Sequence, residues 1–364
     1  MSDLEFAKRA KEIGSYFDIS PNDMNNAKFD GEFKPFEGAL YLSTCRSAID
    51  IILKKIVSVN KVALLPGFTC HAVVEPFINN GFQVIPYNIT RNLEIDQDDL
   101  IRKAEEYHPD IVLIHDYFGF DSNKNLRESG ILKKIREVGS AIINDQTQSM
   151  FSSYMNLEGN YQICSIRKWM GIPDGAFLIG FSENEEYVSD TELEKAKIEA
   201  MTYKHGYLFD EIGNKDIVLM NYKKAESILD SREIPYSISN ISKALFCHYD
   251  ISNIKKVRQQ NGRILLNAVI ENSYISCPFD FVSDNEVPFQ IPFLIKKKRK
   301  EFQSYLAQNN VFATVIWGCS EEFADKISEE TRQIYDEILC IPCDQRYSVV
   351  DMKYICELIS AFKW

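Results

Sequence analysis

The stretch "SIRKWMGIPDGAF", residues 165–177, sets an Arg-Lys pair and a tryptophan between an apolar run and a Pro-Asp-Gly turn. The turn leads straight into a second apolar run, "AFLIGF" (176–181). A basic pair in such a place has two readings. Lys168 can sit on a surface turn, because lysine is seldom buried without a reason. Alternatively it is a reactive amine held in a binding site. The segments on either side decide between the two.

Working outward, the chain alternates in type. "KVALLP" (61–66), "FQVIPYN" (82–88), "DIVLIHD" (110–116), "SAIIND" (140–145), "YQICSI" (161–166) and "GAFLIGF" (175–181) read as short apolar strands. Between them, "RSAIDIILKKIV" (46–57), "AVVEPFINNG" (72–81), "DQDDLIRKAEEY" (96–107) and "NLRESGILKKIREVG" (125–139) carry helical spacing. Pro76 marks a kink and Gly81 a stop in the second of these helices. This alternation predicts an α/β fold with a mostly parallel sheet and helices on both faces. In such sheets ligands bind beyond the carboxyl ends of the strands. Thr69, His115, Asp116, Asp145 and Lys168 all follow strand runs there.

From about residue 184 the pattern turns helical, and "NISKALFCHYDISNIKKVRQQNGRILLNAVI" (240–270) reads as one long amphipathic helix. After it come strands at "VPFQIPFLI" (287–295), "VFATVIW" (311–317) and "ILCIPC" (338–343), with helices at 297–309 and 351–362. The division expected is a large α/β domain over 1–250 and a smaller C-terminal α/β domain over 251–364.

Composition sets the outer limits. The 364 residues carry 41 basic and 53 acidic side chains, a net charge of -12. That balance excludes a nucleic-acid surface, which needs a basic patch, yet it allows a local cationic pocket for an anionic substrate. No run of about 18 apolar residues is present to span a membrane. "MSDLEFAKRAKEIG" lacks the apolar stretch of a signal peptide, so the nine scattered cysteines read as reduced thiols of a cytoplasmic protein. "CIPC" (340–343) has CxxC spacing without a second pair or a nearby His, so no metal site is expected. His115 reads as a packing or hydrogen-bonding group at a strand end. Arg167 either grips a carboxylate or phosphate or is simply exposed. "KKKRK" (296–300) reads as a solvated helix start.

Three features then converge. Asp145 ends one strand, and Lys168 follows at the end of the next. Upstream, "LSTCRSAIDIIL" (42–53) places Ser43, Thr44 and Ser47 around a helix N-terminus, where free N–H groups favour phosphate; singly, such residues serve as N-caps. Together they suit pyridoxal 5'-phosphate. A Lys amine condenses with its aldehyde, a carboxylate keeps its pyridine nitrogen protonated, and the helix terminus holds its phosphate.

On these residues the chain resembles the DegT/StrS-type pyridoxal-phosphate-dependent sugar aminotransferases. "EIGSYF", "YLSTCRSAID", "LLPGFTCHAVVEP", "GFQVIPYNI", "IVLIHDYFG", "INDQTQS", "SIRKWMGIPDGAF", "PFQIPFLI" and "CIPCDQRY" look like family segments in family order. The resemblance implies a fold-type-I transferase, with Lys168 as the lysine bonded to the cofactor and Asp145 as the pyridine-nitrogen partner. Gln148 resembles the contact to the ring hydroxyl. Cys45 and Arg46, after Thr44, match a Gly-Thr pair whose amides hold the phosphate, and Ser165 matches a phosphate-binding serine. Cys70 or His71 falls where many members carry an aromatic on the cofactor ring. The chain departs from the family there and in three further places. Ser165 lies three residues before the lysine rather than five, Cys45 replaces Gly, and Pro235 and Ser237 replace an Asn and an Arg that reach the partner subunit's phosphate.

The resemblance also implies an activity and an assembly. An amino acid, glutamate, gives its amino group, which passes to a keto group of a nucleotide-linked deoxysugar for polysaccharide or glycosylated metabolites. A homodimer is implied, with a shared active site. Segment 200–240, rich in Tyr and Phe, crosses to the partner in relatives, with Tyr236 or Lys204 as candidates for the lost contacts. Two other readings stay open at this point: a dehydratase-like reaction on the same cofactor, and a non-catalytic binding or regulatory protein on this fold.

Overall fold

A computed structural model describes residues 9–29, 31–153, 159–181, 185–268 and 273–364. The octet 1–8, which carries most of the N-terminal segment, and positions 269–270 of the expected long helix lie outside them. The strands are β1 (Ile13–Gly14), β2 (Leu40–Leu42), β3 (Val62–Pro66), β4 (Gln83–Tyr87), β5 (Ile111–His115), β6 (Ala141–Asp145), β7 (Tyr161–Cys164), β8 (Ala176–Ile179), β9 (Ile275–Ser276), β10 (Ile291–Ile295), β11 (Val311–Phe312) and β12 (Ile338–Ile341).

A seven-stranded sheet runs in the order β2-β8-β7-β6-β5-β3-β4. Strands β3 to β7 pair in parallel, as at Leu64↔Ile85 and His115↔Asp145. Strand β8 is antiparallel to β7, and β2 is antiparallel to β8. "VALLP" and "IVLIH" are buried along their whole length, because helices cover both faces of a parallel sheet. The order reverses around β3: the chain passes from β3 out to β4, then back across to β5. Crevices form at the carboxyl ends beside such a reversal.

A second sheet, β12-β10-β9, is antiparallel and built wholly from residues after 274. Strand β1, near the N-terminus, pairs in parallel with β11. The opening segment is therefore fastened to the C-terminal elements.

The chain departs from the periodicity in four places. The segment 125–139 forms two helices, Lys124–Glu128 and Ile131–Glu137, because Gly130 takes a left-handed φ of 73° between them. The long amphipathic run is also two helices, Asn240–His248 and Ile251–Asn267. There Tyr249 is extended and Asp250 caps the second helix by accepting from the Asn253 N–H at 3.0 Å. "VFATVIW" yields only β11, because its pairing beyond Phe312 is limited to a bridge from Thr314 to Cys340. "VPFQIPFLI" is strand only from Ile291 onward. Pro76, by contrast, is accommodated within a continuous helix, His71–Asn79.

Candidate active site

The carboxyl ends of β3, β5, β6 and β7 converge. Strand β6 ends at Asp145, 3% exposed. One Asp145 oxygen accepts from the Thr147 N–H at 2.9 Å. The other lies 3.3 Å from His115 Nδ1 at the end of β5. His115 Nε2 lies 2.6 Å from the Thr69 hydroxyl, in the loop after β3. An imidazole carrying its proton on Nδ1 satisfies both contacts, with Thr69 donating to Nε2. Burial pushes the Asp145 carboxyl upward, but His115 and Thr147 outweigh it and hold the group below the usual range. The anion is thereby kept in a place closed to water.

After β7 the chain makes a single 3-10 turn, Ile166–Lys168. Thr147 organises this turn from below. Its hydroxyl accepts the Ser165 N–H at 3.1 Å, and its carbonyl accepts the Trp169 indole N–H at 2.7 Å. Trp169 is fully buried, in edge contact with Phe151, with the Arg258 guanidinium 4.6 Å over its ring. Arg258 and Gln345 both donate to the Trp169 carbonyl, at 3.2 and 2.8 Å. The quoted stretch is thus answered by division of labour. Trp169 anchors the turn in the core, while the neighbouring Lys168 side chain is exposed into the cavities.

The Pro-Asp-Gly turn fixes the other side. Asp174 is wholly buried and accepts from the Ser239 N–H (3.1 Å), the Ser239 hydroxyl (2.8 Å) and the Ser242 hydroxyl. Burial raises its carboxyl to about 6, against the pull of those hydroxyl and N–H donors. Gly175, at φ 137°, then donates to the Ser43 carbonyl at 2.9 Å. This brings the start of the helix Cys45–Lys55 up to the lysine turn. Thr44 caps that helix, accepting from the Ser47 N–H at 3.1 Å.

One cavity gathers Thr44, Cys45, Arg46, Cys70, Asp145, Ser165 and Lys168, together with Thr147 and Arg167. Two other expected residues lie outside its lining. Gln148 is buried and accepts the Phe118 N–H at 2.9 Å, while His71 is exposed at the start of its helix. The Arg46 side chain reaches Asp230 at 2.6 Å and Glu75 at 3.8 Å. Burial, chiefly, with Asp145 adding to it, pushes the Cys45 thiol up, so it stays protonated. Lys204 corrects the expectation of an outward contact: it is 1% exposed and donates to the Tyr16 carbonyl of its own chain. Tyr236 lines a groove that also includes Thr44 and Arg46.

Residue-by-residue reading passed over Thr147, Arg258 and Asp174. Thr147 lies inside the distinctive "DQTQS", so its segment was visible though its role was not. Arg258 sits among charged and polar residues of the helix Ile251–Asn267, where no local signal marks it as buried. Burial also pushes the Cys343 thiol of "CIPC" up to about 12. Among the described residues no cluster of three or more potential metal ligands occurs, and no helix is long and apolar enough to cross a membrane.

No protein-family model and no curated protein matches the sequence. Solved structures do resemble the fold. The aminotransferase PseC of Helicobacter pylori, involved in pseudoaminic acid biosynthesis, superposes with a TM-score of 0.69 at 14% identity, covering 97% of this chain and 98% of that one. A DegT DnrJ EryC1 StrS aminotransferase from Brucella abortus gives 0.64 at 14% identity, covering 95% and 91%. The E. coli GDP-4-keto-6-deoxy-D-mannose-3-dehydratase, solved with bound hydrated PLP, gives 0.65 at 14%, covering 97% and 99%. Over nearly its whole length, therefore, the chain has the α/β fold shared by DegT/StrS-type sugar aminotransferases and a sugar dehydratase of the same architecture.

Proposed function

We propose that the protein is a pyridoxal-phosphate-dependent aminotransferase that moves an amino group from an amino acid, glutamate, to a keto group of a nucleotide-linked deoxysugar. One observation carries the reading. Lys168 and the buried, anionic Asp145 line the same cavity as the helix start at Thr44, Cys45 and Arg46. The residues fit the cofactor: an amine for its aldehyde, a carboxylate for its ring nitrogen, and N–H groups with no intrahelical acceptor, beside Ser165, for its phosphate.

When bound, pyridoxal phosphate supplies an aldehyde that condenses with amines and a ring that takes up electrons from the carbon losing its proton. Asp145 would hold the ring nitrogen in its protonated form. His115, itself held by Thr69, and the Thr147 N–H fix Asp145 in place and favour its anionic form. Lys168 would be the amine for the aldehyde and, when free, the base that moves a proton at the donor's α-carbon. Trp169 and Arg258 keep the lysine turn from shifting while it does so.

We place this enzyme in the cytoplasm, as a homodimer. The large apolar side chains of Phe209, Ile212, Met220 and Ile234 are exposed, at 66%, 61%, 61% and 59%. All four fall in the segment 200–240 expected to meet a partner. The decisive test of the chemistry is borohydride reduction of protein incubated with pyridoxal phosphate, followed by peptide mapping. A pyridoxyl group on Lys168 is expected. A label on Lys197, Lys204 or another lysine removes the assignment.

A further inference from the structure

Beside the cofactor cavity lies a larger one of about 620 Å³, and Arg167 and Lys168 line both. Arg167 is held at its backbone, where its N–H donates to the Gly175 carbonyl at 3.2 Å. Its guanidinium is far less occupied. Nη1 lies 3.7 Å from Glu226 Oε1, beyond hydrogen-bond reach, and the buried Nε has no hydrogen-bond partner among the described residues. Lys197, whose side chain is 4% exposed, binds that same Glu226 oxygen. Two cations therefore share one carboxylate at the wall of a cavity. A guanidinium presents a planar fork suited to a carboxylate or phosphate, and buried polar groups are normally satisfied. The unbonded Nε and the long Nη1 contact leave this guanidinium with capacity for a further anion.

The surroundings agree. Tyr16 and Tyr222 stack at 4.0 Å and line the same cavity, a low-dielectric wall that strengthens ionic contacts. Arg167 and Lys197 outweigh burial and hold Glu226 below the usual carboxylate range, so it stays charged and keeps both cations in position. Lys197 and Glu226 line the larger cavity only, whereas Thr44, Cys45 and Ser165 line the smaller. The anion is thus assigned to the substrate side rather than to the phosphate cradle.

We propose that Arg167 and Lys197, organised by Glu226, form an oxyanion subsite that receives a carboxylate or phosphate group of the substrate beside Lys168. This rests on reading the Lys168 cavity as the reaction site. Calorimetric titration of the cofactor-loaded protein with succinate and, separately, with inorganic phosphate tests it and distinguishes the two sources of the oxyanion. At least one probe is expected to bind. Arg167→Gln should weaken it by about ten-fold or more, and Arg167→Lys should recover part of the loss, because charge-assisted bonds are the strong ones. Lys197→Gln, at a residue that lines the larger cavity only, should weaken the probe as well while cofactor affinity, read from the visible band, stays within about three-fold. Arg167→Lys keeps the charge and supplies the comparison if Arg167→Gln folds poorly. The inference fails if neither probe binds the wild-type chain at tens of millimolar, or if both Arg167→Gln and Lys197→Gln bind as the wild type does. It also fails if Lys197→Gln loses cofactor affinity instead of probe affinity. The same titration on a Lys168→Ala chain separates the two readings. Probe binding that survives there supports the subsite even if peptide mapping places the cofactor on another lysine.

Discussion

Asp174 offers a prediction whose size follows from the fold. Its carboxyl is wholly buried beneath the lysine turn, and burial moves it from 3.8 to about 6. A raised carboxyl value means that the folded state binds the proton more tightly than the unfolded one. The resulting stability is fully present below the unfolded value and is lost as pH rises through about 6. Between pH 8 and pH 5 the linkage relation gives a gain of about 1.4 kcal/mol from this group. Asp174→Asn keeps the volume and removes the titration. It should be destabilised at both pH values, since Asn offers only one acceptor to Ser239 and Ser242. The gap to wild type should widen by roughly 1–1.5 kcal/mol on going from pH 8 to pH 5. Urea unfolding of both chains at the two pH values measures this. Asp116, which burial also raises to about 6, titrates in both chains and cancels from the difference. A gap that is constant within about 0.3 kcal/mol, or that narrows at pH 5, would refute the reasoning.

Further predictions follow from the same geometry. Asp145→Asn should keep some bound cofactor but lower turnover by several orders of magnitude, because the ring then loses its protonating partner; near-normal single-turnover rates would place the partner elsewhere. Trp169→Ala should cost about 3–5 kcal/mol in urea unfolding, since it empties a fully buried site between Phe151, Phe289 and Arg258; a cost under about 1 kcal/mol would show that the turn is held by other contacts. Light scattering at micromolar concentration should return about twice the chain mass of 42.0 kDa, and a persistent monomer that turns over would remove the dimer. If the dimer holds, a Lys168→Ala chain mixed with one altered between 203 and 237 should recover some activity; no recovery would mean that each site is built from one chain.

The sheet was legible because fully buried parallel strands read as unbroken apolar runs, such as "VALLP" and "IVLIH", between helices of clear period. Strand ends follow from the same runs, so Asp145 and Lys168 could be placed at the ligand edge from spacing alone. What the periodicity hid were local interruptions. Gly130 breaks a helix by backbone sign, and Asp250 starts one by capping, in stretches whose apolar spacing continues without a gap. Short pairings such as β1 with β11 join residues about 300 positions apart, and no local pattern specifies them.

The candidate site divides in the same way. Residue type and order singled out the amine, the carboxylate and the helix cap, because each announces its chemistry in one dimension. The sequence could not say that Thr147 would tie Asp145, Ser165 and Trp169 together, or that Arg258 would be buried against an indole. Nor could it say that Lys204 would turn inward to the Tyr16 carbonyl. Those outcomes depend on which donors meet which acceptors once helices and loops distant in the chain have packed. A buried polar group is tolerated only where such partners arrive together. The sequence alone determined the kind of chemistry available at the sheet's edge, and tertiary packing alone decided which side chains face the cavity and which ones hold them there.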